Sequence, residues 1–263
     1  MGKKLISRGF LVLVLLFLYV PILILAFYSF TDATMIGMTP HFSIDNYVNL
    51  ISKDELREMI IGTIVLTIVV AILSTILGTM GAIGAFYSKP KTRLAMEFMN
   101  KIPVINADVV TGFSVCVLLI VFFGMDKSTY IPLVIGLTSL CTPFVYLSVM
   151  PRLKQLDGEI YEAALDLGCS PMRAMRKVVL PQLFSGIVSG FMMSVTLVLD
   201  DYFISTYTKP ASFDTISTYV VNATKGAQTE IKTALWALST VIFVIAILVV
   251  AANNIKGRKE AEA

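Results

Sequence analysis

Six long intervals free of charged residues dominate this 263-residue chain: 9–31, 59–88, 109–125, 128–151, 178–199 and 233–255. A helix rising 1.5 Å per residue needs about 20 apolar residues to cross a bilayer core. Unpaired backbone cannot face lipid, so irregular or open-strand crossings are excluded. The intervals therefore predict an all-α membrane protein, one polytopic domain over 1–263 with six transmembrane helices. The 109–125 interval is the shortest, and Pro103 and Asp108 stand just before it, so a tilted or kinked crossing is expected there. Composition agrees, at 56% hydrophobic residues and a mean hydropathy of +0.81.

The first interval follows Lys3, Lys4 and Arg8, as the basic region of a signal peptide would. Its apolar run is longer than a usual signal core, and no small-x-small cleavage site precedes Asp32. A retained signal-anchor is expected. Orientation follows from Lys and Arg in the connecting segments. With the N-terminus inside, residues 1–8, 89–108, 152–177 and 256–263 carry 3, 4, 5 and 3 of them, 15 in all. The outer segments 32–58, 126–127 and 200–232 carry 2, 1 and 3, or 6. An N-in, C-in topology is predicted, with the chain multi-pass in a bacterial cytoplasmic (inner) membrane.

The chemistry that is missing narrows the function. No GxxxxGK[ST] phosphate loop occurs, and the glycine cluster GTMGAIG at 78–84 falls inside a predicted span. A single histidine, His41 in the first outer segment, leaves no Ser/His/Asp or HExxH arrangement. Cys116, Cys141 and Cys169 have no paired spacing for a metal or a disulfide framework. No carboxylate lies in the middle of a predicted span, which argues against a carrier driven through a buried acid. An enzyme, a metal or cofactor on this chain and a nucleic-acid partner are not expected. A transport subunit, a channel or a scaffold in the lipid bilayer remains.

Small residues recur at four-residue spacing, Ser74, Gly78 and Ala82 in the second span and Gly186, Gly190 and Ser194 in the fifth. Such faces let helix backbones approach closely, either within this chain or against a second membrane subunit. In the first outer segment Ile44, Tyr47, Val48 and Ile51 have helical spacing, as do Ile216, Tyr219, Val220 and Ala223 in the last. Each predicts a short surface helix that contacts an external partner or caps the bundle.

The segment 152–181 breaks the apolar pattern. Ile160, Ala163, Ala164 and Leu167 share one face of a short helix, and Gly168 is suited to end it with a positive φ. Ser170-Pro171 reads as an N-cap and a first-turn proline opening a second short helix, with Met172, Met175 and Val179 on one face. Leu180-Pro181 marks entry into the fifth span. Asp157, Glu159, Glu162 and Asp166 are mixed with the basic residues, so the surface suits a protein groove better than anionic lipid.

Glu162-Ala163-Ala164, three residues, Gly168, nine residues, Val178, one residue and Leu180-Pro181 resembles the EAA loop of ATP-binding-cassette importer permeases. Val178 for Ile is the single departure from EAA-x3-G-x9-I-x-LP. In that family the loop docks in a cleft of the ATPase subunit, which implies coupling roles for Glu162, Ala163, Ala164, Asp166, Gly168, Leu180 and Pro181. A basic N-terminus, one span, an outer loop with Phe42 and Asn46-Tyr47, and five further spans look like the six-helix permeases of binding-protein-dependent importers. The resemblance implies the type I ABC importer permease fold with cytoplasmic coupling helices. It also implies a dimer of ATP-binding-cassette ATPases, which bind the ATP and Mg, a second homologous permease subunit and an extracytoplasmic solute-binding protein.

The stretch SVTLVLDDYFISTYTKP, 194–210, is similar to the second permease subunits of spermidine/putrescine importers, with Lys209 in place of a small residue before Pro210. Asp200 and Asp201, followed by Tyr202 and Ser205, then become candidates for the substrate pathway, as attractors for a polycation. Aspartate at a membrane boundary also simply ends helices. A polyamine importer permease is the expectation. The alternatives are the same kind of permease for ferric iron, sulfate, phosphate or an amino-acid-like solute, or a secondary carrier.

Overall fold

The structure is a computed structural model and describes residues 2–33, 39, 41–156, 158–225 and 233–244. Among the described residues the chain is helical, with turns and one isolated bridge between Thr31 and Phe42. The helices are α1 Gly2–Ser29, α2 Asp45–Ser52, α3 Asp54–Phe86, α4 Pro90–Ile105, α5 Asp108–Cys116, α6 Ile131–Gln155, α7 Gly158–Asp166, α8 Pro171–Ala174, α9 Leu180–Asp200, α10 Phe203–Thr208 and α11 Ile216–Lys225, with α12 over Thr233–Val244. A π-helical turn, Val117–Phe122, extends α5, and another, Met175–Val179, joins α8 to α9.

Four helices are long and apolar enough to cross a bilayer: Gly9–Ser29, Asp54–Phe86, Ile131–Gln155 and Pro171–Asp200. They correspond to the first, second, fourth and fifth predicted intervals. The 109–125 interval is not a straight span of its own. The segment Asp108–Phe122 meets α4 at a bend of 104°, and the pair forms one broken span or a re-entrant loop. Asn106 and Ala107, both extended, make the break. Of the predicted sixth span, 245–255 lies outside the described residues, as do Asp157 and the C-terminal Lys256, Arg258 and Lys259.

The chain forms two compact units, residues 1–58 with 220–263, and residues 59–219. In the first unit, α2 confirms the short helix expected in the outer segment. Ile44, Val48 and Ile51 stay exposed on it, while Asn46 and Leu50 are buried. The Asn46 amide donates to the carbonyls of Ser29 (3.1 Å) and Thr31 (2.9 Å), closing the end of α1. The Tyr47 hydroxyl and Ser29 Oγ lie 2.9 Å apart. Edge-on ring contacts of Tyr28 with Trp236 and tilted contacts of Tyr19 with Phe243 pack α1 on α12.

The second unit is built around α6. Leu133, Leu137, Cys141, Val145, Val149 and Leu153 form an i, i+4 ridge that is wholly buried. Both small-residue stripes meet this ridge, so they pack within the chain. A Cβ placed on Gly78 of α3 would lie 2.6 Å from Val145 Cβ, and one on Gly190 of α9 would lie 3.0 Å from Val145 Cγ1. One turn away, Ser74 Oγ donates to Ser194 Oγ at 3.1 Å and Ser194 Oγ to the Gly190 carbonyl at 3.0 Å. Small residues thus bring three helices to van der Waals contact on one valine, where lipid would supply no driving force for association.

Candidate functional site

The connection between α6 and α9 carries the first candidate site. It is shorter than the 152–181 expected, because α6 continues through Arg152 and Lys154 to Gln155 and the helix leading into α9 already starts at Pro171. The left-handed residue expected at Gly168 is present, with φ +82°. The Cys169 N–H donates to the Ala164 carbonyl (3.1 Å) and the Gly168 N–H to the Leu165 carbonyl (2.8 Å). This is the full Schellman pair, and it satisfies the carbonyls that α7 would otherwise leave open. Ser170 then holds the N-cap in extended backbone, and its carbonyl accepts the N–H groups of Arg173 and Ala174, both at 2.9 Å. Its side chain makes no capping bond.

Two expectations need correction here. The second short helix is not a separate element but the first turn of one helix running Pro171–Asp200. Pro181 cannot donate to the Lys177 carbonyl and its ring crowds that carbonyl. The chain absorbs this by widening into the π turn Met175–Val179 instead of breaking at Leu180-Pro181. The apolar face of α7 is also divided. Ala164 is buried, and half-buried Tyr161 joins the core cluster of Val149, Leu153, Val179 and Leu183, while Ile160, Ala163 and Leu167 point outward. Likewise Met175 and Val179 turn inward but Met172 does not.

The result is a short helix seated by its small side. The Tyr161 ring packs against Tyr87 at the end of α3, with centroids 5.3 Å apart. Glu162, Ala163, Asp166 and Gly168 are exposed together with Leu167 (87%) and Met172 (63%). Leu180 is half-buried and Pro181 exposed. Glu162, Ala163, Asp166 and Gly168 are therefore all outward-facing, whereas Ala164 is buried and Leu180-Pro181 lies beyond the π turn.

The second candidate site is at the other end of α9. Asp200 is exposed and closes the helix, its carbonyl accepting from Ser217 Oγ at 3.3 Å. Asp201 is buried, and its carboxylate accepts the backbone N–H of Ser205 at 2.8 Å and of Ile204 at 3.4 Å. It caps α10, which lies in a groove where Gly112 of α5 and Gly136 of α6 leave room for Ile204. Tyr202 is half-buried beside this cap and Ser205 is buried. Lys209 does not present a free cation to this region, because its ammonium donates to Asp214 (2.9 Å) and to the Phe213 carbonyl (2.7 Å). The cap and the lysine clip carry no periodic signal; the Asp-x-x-x-Ser and Lys-x-x-x-x-Asp spacings are the traces they leave. Among the described residues no group of acidic, cysteine or histidine side chains is placed to hold a metal ion.

Comparisons with known proteins agree with this architecture. Residues 78–257 match the family model described as "Binding-protein-dependent transport system inner membrane component". Similar curated proteins include the spermidine/putrescine transport system permease protein PotC of Haemophilus influenzae, 28% identical over 98% of this chain and 99% of that protein. The putrescine transport system permease protein PotI of Escherichia coli K12 is 29% identical over 86% of this chain and 81% of its own length. In fold, a chain of a bacterial ABC transporter involved in the import of the acidic polysaccharide alginate superposes with a TM-score of 0.76 at 15% identity, covering 95% of each chain. A polytopic helical fold with an EAA-type connection is that of a membrane permease subunit. The chain belongs to the family of binding-protein-dependent transport system inner membrane components, the permeases of ABC importers.

Proposed function

We propose that this chain is the permease subunit through which an ATP-driven importer moves polyamines, spermidine or putrescine, across the bacterial cytoplasmic membrane. The observation that carries the coupling half of this reading is the outward surface of α7. A Schellman-closed helix exposes Glu162, Asp166 and Leu167 above a seat of Tyr161 and Ala164, and Met172 is exposed at the start of the next helix. An apolar anchor flanked by carboxylates suits a groove on another protein. In an N-in, C-in topology with six crossings, this surface faces the cytoplasm and meets the ATPase dimer, which holds the ATP and Mg.

Closure of the ATPases displaces α7, and the displacement passes into α6, which ends at this connection, and into α9, which begins beyond it. Access then alternates between an external solute-binding protein and the cytoplasm, a coupling between distant sites. A second permease subunit, a separate or identical chain, completes the pathway. Relatives named for spermidine and putrescine, and the exposed Asp200 next to the buried Asp201, with Tyr202 and Ser205, support a polycation as solute. The chain itself performs no catalysis in this scheme.

The test is uptake of labelled putrescine in cells expressing the complete importer, with spermidine, an iron chelate, sulfate and phosphate as competitors. Competition by spermidine alone supports the reading. Competition by an anion or chelate with none by spermidine assigns the same permease to another solute.

A further inference from the structure

Helix α4 is held in an unusual way. It buries none of its residues, and its apolar side chains Leu94, Phe98, Met99, Ile102 and Ile105 all point outward. The less exposed face of α4 starts polar, with Arg93, Glu97 and Asn100 at helical spacing, and half-buried Pro103 and Val104 follow further along it. One carboxylate oxygen, Glu97 Oε1, receives Lys154 Nζ at 3.1 Å and Arg93 Nε at 3.2 Å. Asn100 Nδ2 donates to the Pro143 carbonyl of α6 at 3.2 Å. The Arg93 guanidinium also lies 5.1 Å from the centre of the Phe86 ring at the end of α3.

This attachment sits where motion has to be passed on. Lys154 is in the last turn of α6, immediately before the connection that leads into α7. Beyond α4 the chain bends by 104° into α5, whose Gly112 backs the α10 helix capped by Asp201. Apolar contact is non-directional and would let α4 slide along α6. A carboxylate between two cations, with the Asn100 bond about three turns further back along α6, fixes both register and rotation. Partly exposed pairs of this kind add little to stability, so losing one leaves the bundle folded while freeing α4.

We infer that Glu97 is a positioning residue for transport, the latch that makes α4 and the bent third span follow the inner end of α6 when α7 is displaced. The inference rests on the coupling reading above and adds a further output to it, since α6 and α9 alone would otherwise carry the movement.

The test uses the assembled importer in proteoliposomes, with ATP hydrolysis and uptake of labelled putrescine followed together. E97Q keeps the side-chain volume and removes the charge. It is expected to lower the solute imported per ATP by about fivefold or more while hydrolysis stays close to wild type. K154M should behave alike, and full reversal of the cluster, R93E/E97K/K154E, should recover most of the lost ratio. A merely structural role would lower assembly and hydrolysis together. An unchanged import-to-hydrolysis ratio in E97Q overturns the latch while leaving the coupling reading intact. If the wild-type importer shows no ATP-driven uptake, the coupling reading fails and the latch falls with it.

Discussion

The Asp201 carboxylate accepts the backbone N–H of Ser205 at 2.8 Å, so the acid just past the end of α9 caps the helix that follows it. Charge and cap are separable by substitution. Asp201→Ala removes both and should destabilise the purified permease by about 1–2 kcal/mol. Asp201→Asn keeps an acceptor oxygen, so it should hold its melting temperature near wild type while putrescine uptake falls. Asp200→Asn, at an exposed side chain, should leave stability unchanged. Melting curves of the three variants beside uptake at matched expression decide this.

Gly168 has open space where a Cβ would go, and the obstacle to a side chain there is its φ of +82°. A β-branched residue in the left-handed region costs about 1–2 kcal/mol, whereas asparagine tolerates it better. Gly168→Val should therefore uncouple hydrolysis from uptake more strongly than Gly168→Asn. Parallel assays of ATP hydrolysis and import would show the ranking, and equal import by both variants would remove the role assigned to the turn.

Val145 is clamped between Gly78 and Gly190. Gly78→Ala should overpack this contact and cost about 1–3 kcal/mol, visible as a lower melting temperature and yield. Val145→Ala in the same chain should restore much of the loss, because the added methyl then fills the vacated volume. Failure of that second change would mean the contact is not what limits Gly78.

Asn46 closes the end of α1 through two carbonyls. Asn46→Leu leaves both buried acceptors without their partner, at a cost of about 1–3 kcal/mol. Limited proteolysis between α1 and α2 should become faster in this variant.

Much of this was legible in the sequence because bilayers enforce simple rules. Charge-free length located four helices long and apolar enough to cross a bilayer, and the four-residue spacing of Ser74, Gly78, Gly186 and Gly190 marked the faces that meet on α6. The glycine turn at 168 was legible for the same reason, since its conformation is local. What escaped depends on competition between groups. Whether Asp108–Phe122 stands as a crossing is decided by its short length and by the break at Asn106 and Ala107, not by apolarity. Pro181 reads as a helix boundary, yet a π turn absorbs it. The outward and inward halves of α7 look alike in the sequence, and packing against Tyr87 and the cluster of Val149, Leu153, Val179 and Leu183 holds Tyr161 on the inside.

The central claim is that α7 docks on an ATPase, and Leu167 is its most exposed anchor, at 87%. A photo-reactive residue at position 167 in the purified importer tests it directly. The account predicts a cross-linked species containing this chain and the ATPase, with a yield that changes between nucleotide-free and ATP-bound states. Adducts to lipid or to this chain alone, with the ATPase present and active, would contradict it.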